Sequence, residues 1–157
     1  MRYLFLLGFI LTSLSSYSQK ITRQDSLRGS ITPQRAWWDL VHYDLSVEVL
    51  PESKTIIGTN VMTYKVLNEG TNELQIDLQA PMELTAVMQD GHSLDVLSEG
   101  NAHFIQLEDP QHEGELKKIS LSFEGKPRIA KNPPWDGGIT WKKDSNGKHF
   151  IASSNQG

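Results

Sequence analysis

Cysteine is absent from the 157 residues. That excludes a disulfide framework, an iron–sulfur cluster, a thiolate zinc site and a cysteine nucleophile together. A basic excess is absent as well. Lys plus Arg number 15 against 19 Asp plus Glu, for a formal net charge of −4. The longest basic runs are the pairs Lys117-Lys118 and Lys142-Lys143. Phosphate contacts need a basic surface or a dense basic patch, so nucleic acid is not an expected partner. No apolar run reaches the roughly 20 residues that a spanning helix requires, so no membrane span is expected. What remains is ordinary globular composition, with 38% hydrophobic residues, 12 Gly and 7 Pro.

The first segment reads as an address. Arg2 precedes an apolar run from Tyr3 to Leu11, and Ser16 and Ser18 occupy the −3 and −1 positions of a cut after Ser18. A charged start, a short apolar middle and a small-residue exit make a secretory signal peptide over residues 1–18. No cysteine follows the cut, which argues against a lipid anchor. The expected product is exported, periplasmic or extracellular, and depends on packing alone for stability. Residues 19–34 are polar and unpatterned, and read as a flexible lead-in.

From residue 40 the pattern changes. Val41, Tyr43, Leu45, Val47 and Val49 alternate with His42, Asp44, Ser46 and Glu48, the period of a half-buried strand. Pro51-Glu52-Ser53 ends it. Residues 54–66 are rich in strand formers, and Gly58 within them predicts a bend or bulge. Leu74, Ile76 and Leu78 alternate again. Residues 84–89 and 92–97 flank Asp90-Gly91, a hairpin signal, because the tight primed turn needs positive φ at both central positions. Further strands are expected over residues 102–107, 119–123, 139–143 and 148–153, the last two around a turn containing Asn146-Gly147. About nine strands spaced by roughly ten residues predict an all-β fold, an antiparallel sandwich or saddle-shaped sheet, with almost no helix.

The chemistry-bearing residues form no self-contained constellation. A helical zinc pair needs two histidines at i and i+4 with a glutamate between them. His42, His92, His103, His112 and His149 offer no such spacing and read as solvated surface residues. Serines are frequent, but no Gly-x-Ser-x-Gly elbow and no glycine-rich phosphate loop occur. The neighbouring carboxylates Glu108 and Asp109 read as loop charge. Four tryptophans stand out. Trp37 and Trp38 precede the first strand, where adjacent residues point opposite ways, so one can plug the core while the other stays partly exposed. Trp135 follows Pro133-Pro134 and precedes Asp136-Gly137-Gly138, a turn that presents it at a loop. Together with Trp141 it could form a sugar-stacking platform, or simply pack at the edge of a core.

Three features occur in order: Arg35-Ala-Trp-Trp-Asp-Leu-Val-His-Tyr-Asp-Leu-Ser-Val-Glu-Val49, then Thr55-Ile-Ile-Gly-Thr59 with Met62-Thr-Tyr64, then Pro133-Pro-Trp-Asp-Gly-Gly-Ile-Thr-Trp-Lys-Lys143 leading to Ile151-Ala-Ser-Ser-Asn-Gln-Gly157. Over residues 35–157 this resembles the N-terminal domain of the aminopeptidase N family of zinc metallopeptidases (gluzincins), which includes the leukotriene-hydrolysing enzymes. The resemblance implies a saddle-shaped β domain over a thermolysin-like catalytic domain. In the family the zinc helix, His-Glu-x-x-His, and the Gly-x-Met-x-Asn loop belong to that second domain, and neither motif occurs here. The expectation is therefore an incomplete N-terminal β domain that forms part of a substrate cleft wall and docks on a catalytic domain absent from this chain. Such a chain holds no cofactor of its own, zinc being implied for the intact parent, and is inactive alone. The family places a Gln or Glu of this domain at the rim of the active site, where it helps bind the substrate's free N-terminus. Gln156 resembles that position, and a side-chain carbonyl suits it as an acceptor for an ammonium group. The cysteine that precedes this residue in some members is missing. The expected partners are the parent's catalytic domain and, in the intact enzyme, peptide N-termini. The alternative is a free-standing exported β-sandwich module that binds glycan or protein through Trp135 and Trp141.

Overall fold

The computed structural model describes residues 20–69 and 72–154, which are mostly antiparallel β-structure. The long alternating segment is β1 (Trp38–Leu50), and it returns through a turn at residues 51–54 as β2 (Thr55–Val66). Lys54 takes φ 56° there, and its N–H reaches the Pro51 carbonyl at 3.3 Å. The strands then run β3 (Glu73–Asp77), β4 (Met82–Gln89), β5 (His92–Ser93), β6 (Val96–Glu99), β7 (Ala102–Gln106), β8 (Leu116–Gly125), β9 (Gly138–Lys143) and β10 (His149–Ser154). They assemble as a five-stranded sheet in the order β1-β2-β8-β4-β5, a three-stranded sheet β3-β7-β6 and a two-stranded sheet β10-β9.

Turn chemistry behaves as the residues dictate. Asp90 and Gly91 take φ 50° and 87° and join β4 to β5, with Gln89 opposite His92. In the β9–β10 turn Gly147 takes φ 77°, and the Asp144 carboxylate accepts the N–H groups of Asn146 and Lys148, both at 2.8 Å. The strand expected over residues 92–97 is divided into β5 and β6. The chain crosses from one sheet to the other there, and Leu94 is buried at the crossing.

The core lies between the two larger sheets. Met62, Tyr64, Val66, Val87, Ile119 and Leu121 of the five-stranded sheet pack with Leu74, Ile105, Leu107, Leu94 and Trp37. Trp37 is 2% exposed, and its indole N–H donates to the Glu73 carbonyl at 2.9 Å. Trp38 is only partly buried, and both indoles meet the Tyr64 ring edge-on at about 6 Å. The Tyr64 hydroxyl donates to Gln111 Oε1 at 2.8 Å and accepts from Gln89 Nε2 at 3.0 Å, so a buried polar group is satisfied twice. Burial pushes the Tyr64 phenol above its ordinary pKa.

Three expectations need correction. The segment read as a flexible lead-in carries α1 (Arg23–Gly29) and the short α2 (Pro33–Ala36). A capping box starts α1: the Thr22 hydroxyl accepts the Asp25 N–H at 3.2 Å, and the Asp25 carboxylate accepts the Thr22 N–H at 2.9 Å. Leu27 of α1 packs with Ala102 and Phe104 on the outer side of the small sheet. Burying one such leucine contributes about 1.5–3 kcal/mol. The bulge expected at Gly58 is not there either. β2 keeps continuous register through Gly58, and the register shift of the β1–β2 pair falls between Leu40 and His42. Gly58 serves a close approach instead, because a Cβ there would sit 2.5 Å from Phe123 Cζ and 2.8 Å from the Ser46 carbonyl oxygen.

The third correction is to β1, which is not half-buried. Its register partners put Tyr43, Leu45, Val47 and Val49 on the face that carries Met62, Asn60, Gly58 and Ile56, which is the core face. Yet these four are exposed, from 40% at Val49 to 58% at Leu45. The reason is position. β1 is the edge strand, and the small sheet covers only the other half of this face.

Candidate functional site

Two clefts flank the packed region. The first, of about 490 Å³, opens between the core face of the five-stranded sheet and β3. Its walls are apolar, from Leu40, Tyr43, Met62, Leu84, Leu121, Phe123 and Ile76. Its rim is charged. The Arg35 guanidinium donates to the Asp77 carboxylate, and Arg35 Nη1 also reaches the Ser30 carbonyl at 3.2 Å. Asn60 lies on the wall with its Oδ1 buried and, among the described residues, no hydrogen-bond donor against it. Burial raises the pKa of the Tyr43 phenol at the mouth. This is a slot for apolar groups with one ion-paired end, and no nucleophile–base pair is formed among its residues.

The second cleft, about 730 Å³, is more polar and lies beside the end of β10. Arg28, Met82, Arg128, Trp135, Asp136 and Ser153 contribute to it. The Trp135 loop is held from within. The Asp136 carboxylate accepts the backbone N–H groups of Asn132 (2.8 Å) and Lys131 (2.5 Å), which hold its pKa below the usual carboxylate value. Gly138 at φ 108° lets the loop pass against β-bridge residues, since a Cβ there would meet the Arg128 carbonyl oxygen at 2.7 Å. Trp135 is 75% exposed on this framework. Trp141, opposite Ile151 in the β9–β10 pair, is partly buried, and its Nε1 is buried without a partner among the described residues. The two indoles therefore differ in exposure, one presented and one packed.

Gln156 lies outside the described residues, as do residues 1–18, the segment expected to be a signal peptide. Ser153, three positions earlier, lines the second cleft. The histidines are scattered. His42 and His112 are exposed, His92 faces Glu108 at 3.5 Å, and His149 Nε2 meets Glu52 at 2.8 Å. His103 departs from the surface reading. It is 7% exposed in β7 and bonded through Nδ1 to the Ser98 hydroxyl at 2.8 Å. β7 is the central strand of the small sheet, with the core on one face and Leu27 of α1 on the other, so even its polar His103 is buried. Among the described residues no group of three or more His, Cys, Asp or Glu could hold a metal ion, so a zinc site does not fit them. No helix among them is long and apolar enough to cross a membrane.

Sequence reasoning missed the first cleft. Its residues come from α2, β1, β2, β3, β4 and β8, and none of them was assigned to a site from the sequence.

No protein-family profile matches the chain. No curated protein matches it either. Solved structures do. An M1 zinc metallopeptidase E323A mutant from Deinococcus radiodurans, bound to a Tyr-Ser-Ala substrate, aligns over 73% of this chain at 18% identity, with a TM-score of 0.56. Yeast LTA4 hydrolase in complex with bestatin aligns over 73% at 18% identity and a TM-score of 0.56. Native leukotriene A4 hydrolase from Saccharomyces cerevisiae aligns over 74% at 20% identity and a TM-score of 0.55. The alignment takes in 28% of the Deinococcus chain and 18% and 19% of the yeast chains. At such identities the likeness shows a shared fold, and the chain spans only 18–28% of the length of these solved chains.

Proposed function

We propose that this chain is the non-catalytic N-terminal β domain of an exported zinc aminopeptidase. The carrying observation is the alignment of nearly three-quarters of its residues with a small part of substrate- and inhibitor-bound metallopeptidases. In this reading the domain forms part of the substrate cleft wall and docks on a catalytic domain supplied by the rest of the parent. Gln156 accepts a hydrogen bond from the ammonium group of the peptide substrate. A signal peptide over residues 1–18 directs the parent to the periplasm or the outside of the cell. Zinc belongs to the parent's other domain, because the described residues offer no donor set for it. When bound there it supplies Lewis-acid chemistry at the peptide carbonyl.

The test is reconstitution. The purified chain should release no product from an amino-acyl nitroanilide and retain no zinc. The polypeptide encoded directly downstream in frame should carry the zinc helix, and joined to this chain it should hydrolyse the same probe. A Gln156→Ala change in the joined protein should raise KM more than it lowers kcat. Downstream sequence without a zinc helix would sink the proposal.

The exposed Trp135 favours a second reading, a free-standing module that stacks on glycan. That reading requires retention on insoluble polysaccharide, lost in Trp135→Ala. The domain reading requires no retention.

A further inference from the structure

The core face of the five-stranded sheet is buried over one half and bare over the other. Tyr43, Leu45, Val47 and Val49 continue, row by row, the face on which Met62 and Ile119 are 0% and 1% exposed. β1 is also an edge. It has 13 residues, it pairs only with β2 among the described residues, and it contains no Pro, Lys or Arg, the residues by which exposed edges are usually blunted. A long unprotected edge beside an apolar row is the template for another strand.

We propose that β1 receives an added β-strand from the remainder of the parent protein, apolar on its core side and basic on its outer side. This rests on the domain reading above, in which most of the parent lies outside this chain. The length argument is that the similar metallopeptidase chains extend well beyond the aligned part, which is 18–28% of them. The chemistry of the strand follows from β1 itself. Tyr43, Leu45, Val47 and Val49 call for apolar partners on the core side. The charges of β1 are Asp39, Asp44 and Glu48, with no Lys or Arg. A second copy of β1 would bring two acidic strands together, which is unfavourable across a strand pair, whereas Lys or Arg on the incoming strand would be favourable. Asn60 is on the same face as Leu45, and its Oδ1 still wants a donor.

The experiment co-expresses the tagged full chain with the untagged polypeptide encoded directly downstream in frame. Val47→Lys puts a charge into the apolar row, and Ser46→Lys puts the same charge on the opposite face. Both positions are exposed, so the free chain should keep its circular dichroism with either change. The expected result is that Val47→Lys lowers co-purification by about tenfold or more, while Ser46→Lys leaves it within about twofold. A double charge reversal, Asp44→Lys with Glu48→Lys, should also weaken capture. If the pair forms a zinc-dependent aminopeptidase but Val47→Lys is captured as well as the parent chain, the strand proposal fails and the domain reading stands. If Val47→Cys cross-links two copies of this chain in a discrete dimer, the occupant is a second copy and the proposal fails. If no zinc helix is encoded downstream, the domain reading fails and takes this inference with it.

Discussion

The two halves of one sheet face make the instructive contrast. On the inner strands Met62, Tyr64, Ile119 and Leu121 meet the small sheet and are at most 6% exposed. On the edge strand Leu45, Val47 and Val49 carry the same kind of side chain on the same face and stand 40–58% open. Composition and periodicity do not distinguish them. Burial here is a property of what lies opposite, so alternating apolar residues record a face meant for cover, not a face already covered. The halves should therefore respond differently to the same chemistry.

The largest effect is expected where cover is complete. Ile119→Ala should destabilise the chain by about 2–5 kcal/mol, because it opens a cavity in a wall that cannot collapse. Val47→Ala, a comparable truncation in the bare half, should fall within about 0.5 kcal/mol. Urea unfolding followed by tryptophan fluorescence checks both. Equal losses would mean that the bare half is covered in solution.

The boundary between the halves offers the next test. A Cβ added at Gly58 would lie 2.5 Å from the Phe123 ring and 2.8 Å from the Ser46 carbonyl oxygen. Gly58→Ala should cost about 1–3 kcal/mol, since the backbone oxygen cannot move aside as a flexible side chain would. The same substitution at Gly91, which has open space but φ 87°, probes strain without crowding. A stabilised Gly58→Ala protein would show that the β1–β2 hairpin is not held closely against β8.

A smaller effect is expected on the far side of the small sheet. Thr22→Ala removes the hydroxyl of the α1 capping box and should cost about 0.5–2 kcal/mol, seen as a lowered urea midpoint with unchanged slope. No change would mean that α1 contributes nothing to the cover of Phe104.

How much of this was legible follows from the range of each signal. Turns were, because Asp90-Gly91 and Asn146-Gly147 carry their own φ requirements. Strands were, because period two is local. That one of the two adjacent indoles plugs the core followed from their alternation, but that it is Trp37 did not. The role of Gly58 was not, since Phe123 reaches it from 65 positions away through the β2–β8 register. Nor was α1, whose signal is a four-residue capping box, Thr22 to Asp25, in an otherwise polar stretch. The burial of His103 needed knowledge of both layers around β7. The first cleft draws on six elements, so no motif could announce it, whereas the Trp135 turn announced itself through Pro133-Pro134 and Gly137-Gly138.

The smallest expected effect lies at the open end of the sheet, where the β1–β2 turn meets the β9–β10 hairpin. Glu52 accepts from His149 Nε2 at 2.8 Å and has Lys143 at 3.8 Å. The His149 contact is the larger cause, and with Lys143 it holds the Glu52 carboxyl below the ordinary glutamate value. A carboxyl depressed in the folded state binds fewer protons there than in the unfolded chain, so its contribution is present above the unfolded value of about 4.3 and is lost as pH falls through its folded value. Both partners sit in solvent, so the effect on global stability should be small. The sensitive readout is the carbon-13 shift of the Glu52 carboxyl. Its titration midpoint should lie below the ordinary glutamate value, and should rise toward it in His149→Ala. Glu52→Gln should leave stability unchanged near neutral pH and remove only this part of the acid-side loss. A Glu52 midpoint unmoved by His149→Ala would mean that the hairpin does not rest against the turn, and that the open end of the sheet is freer than its contacts suggest.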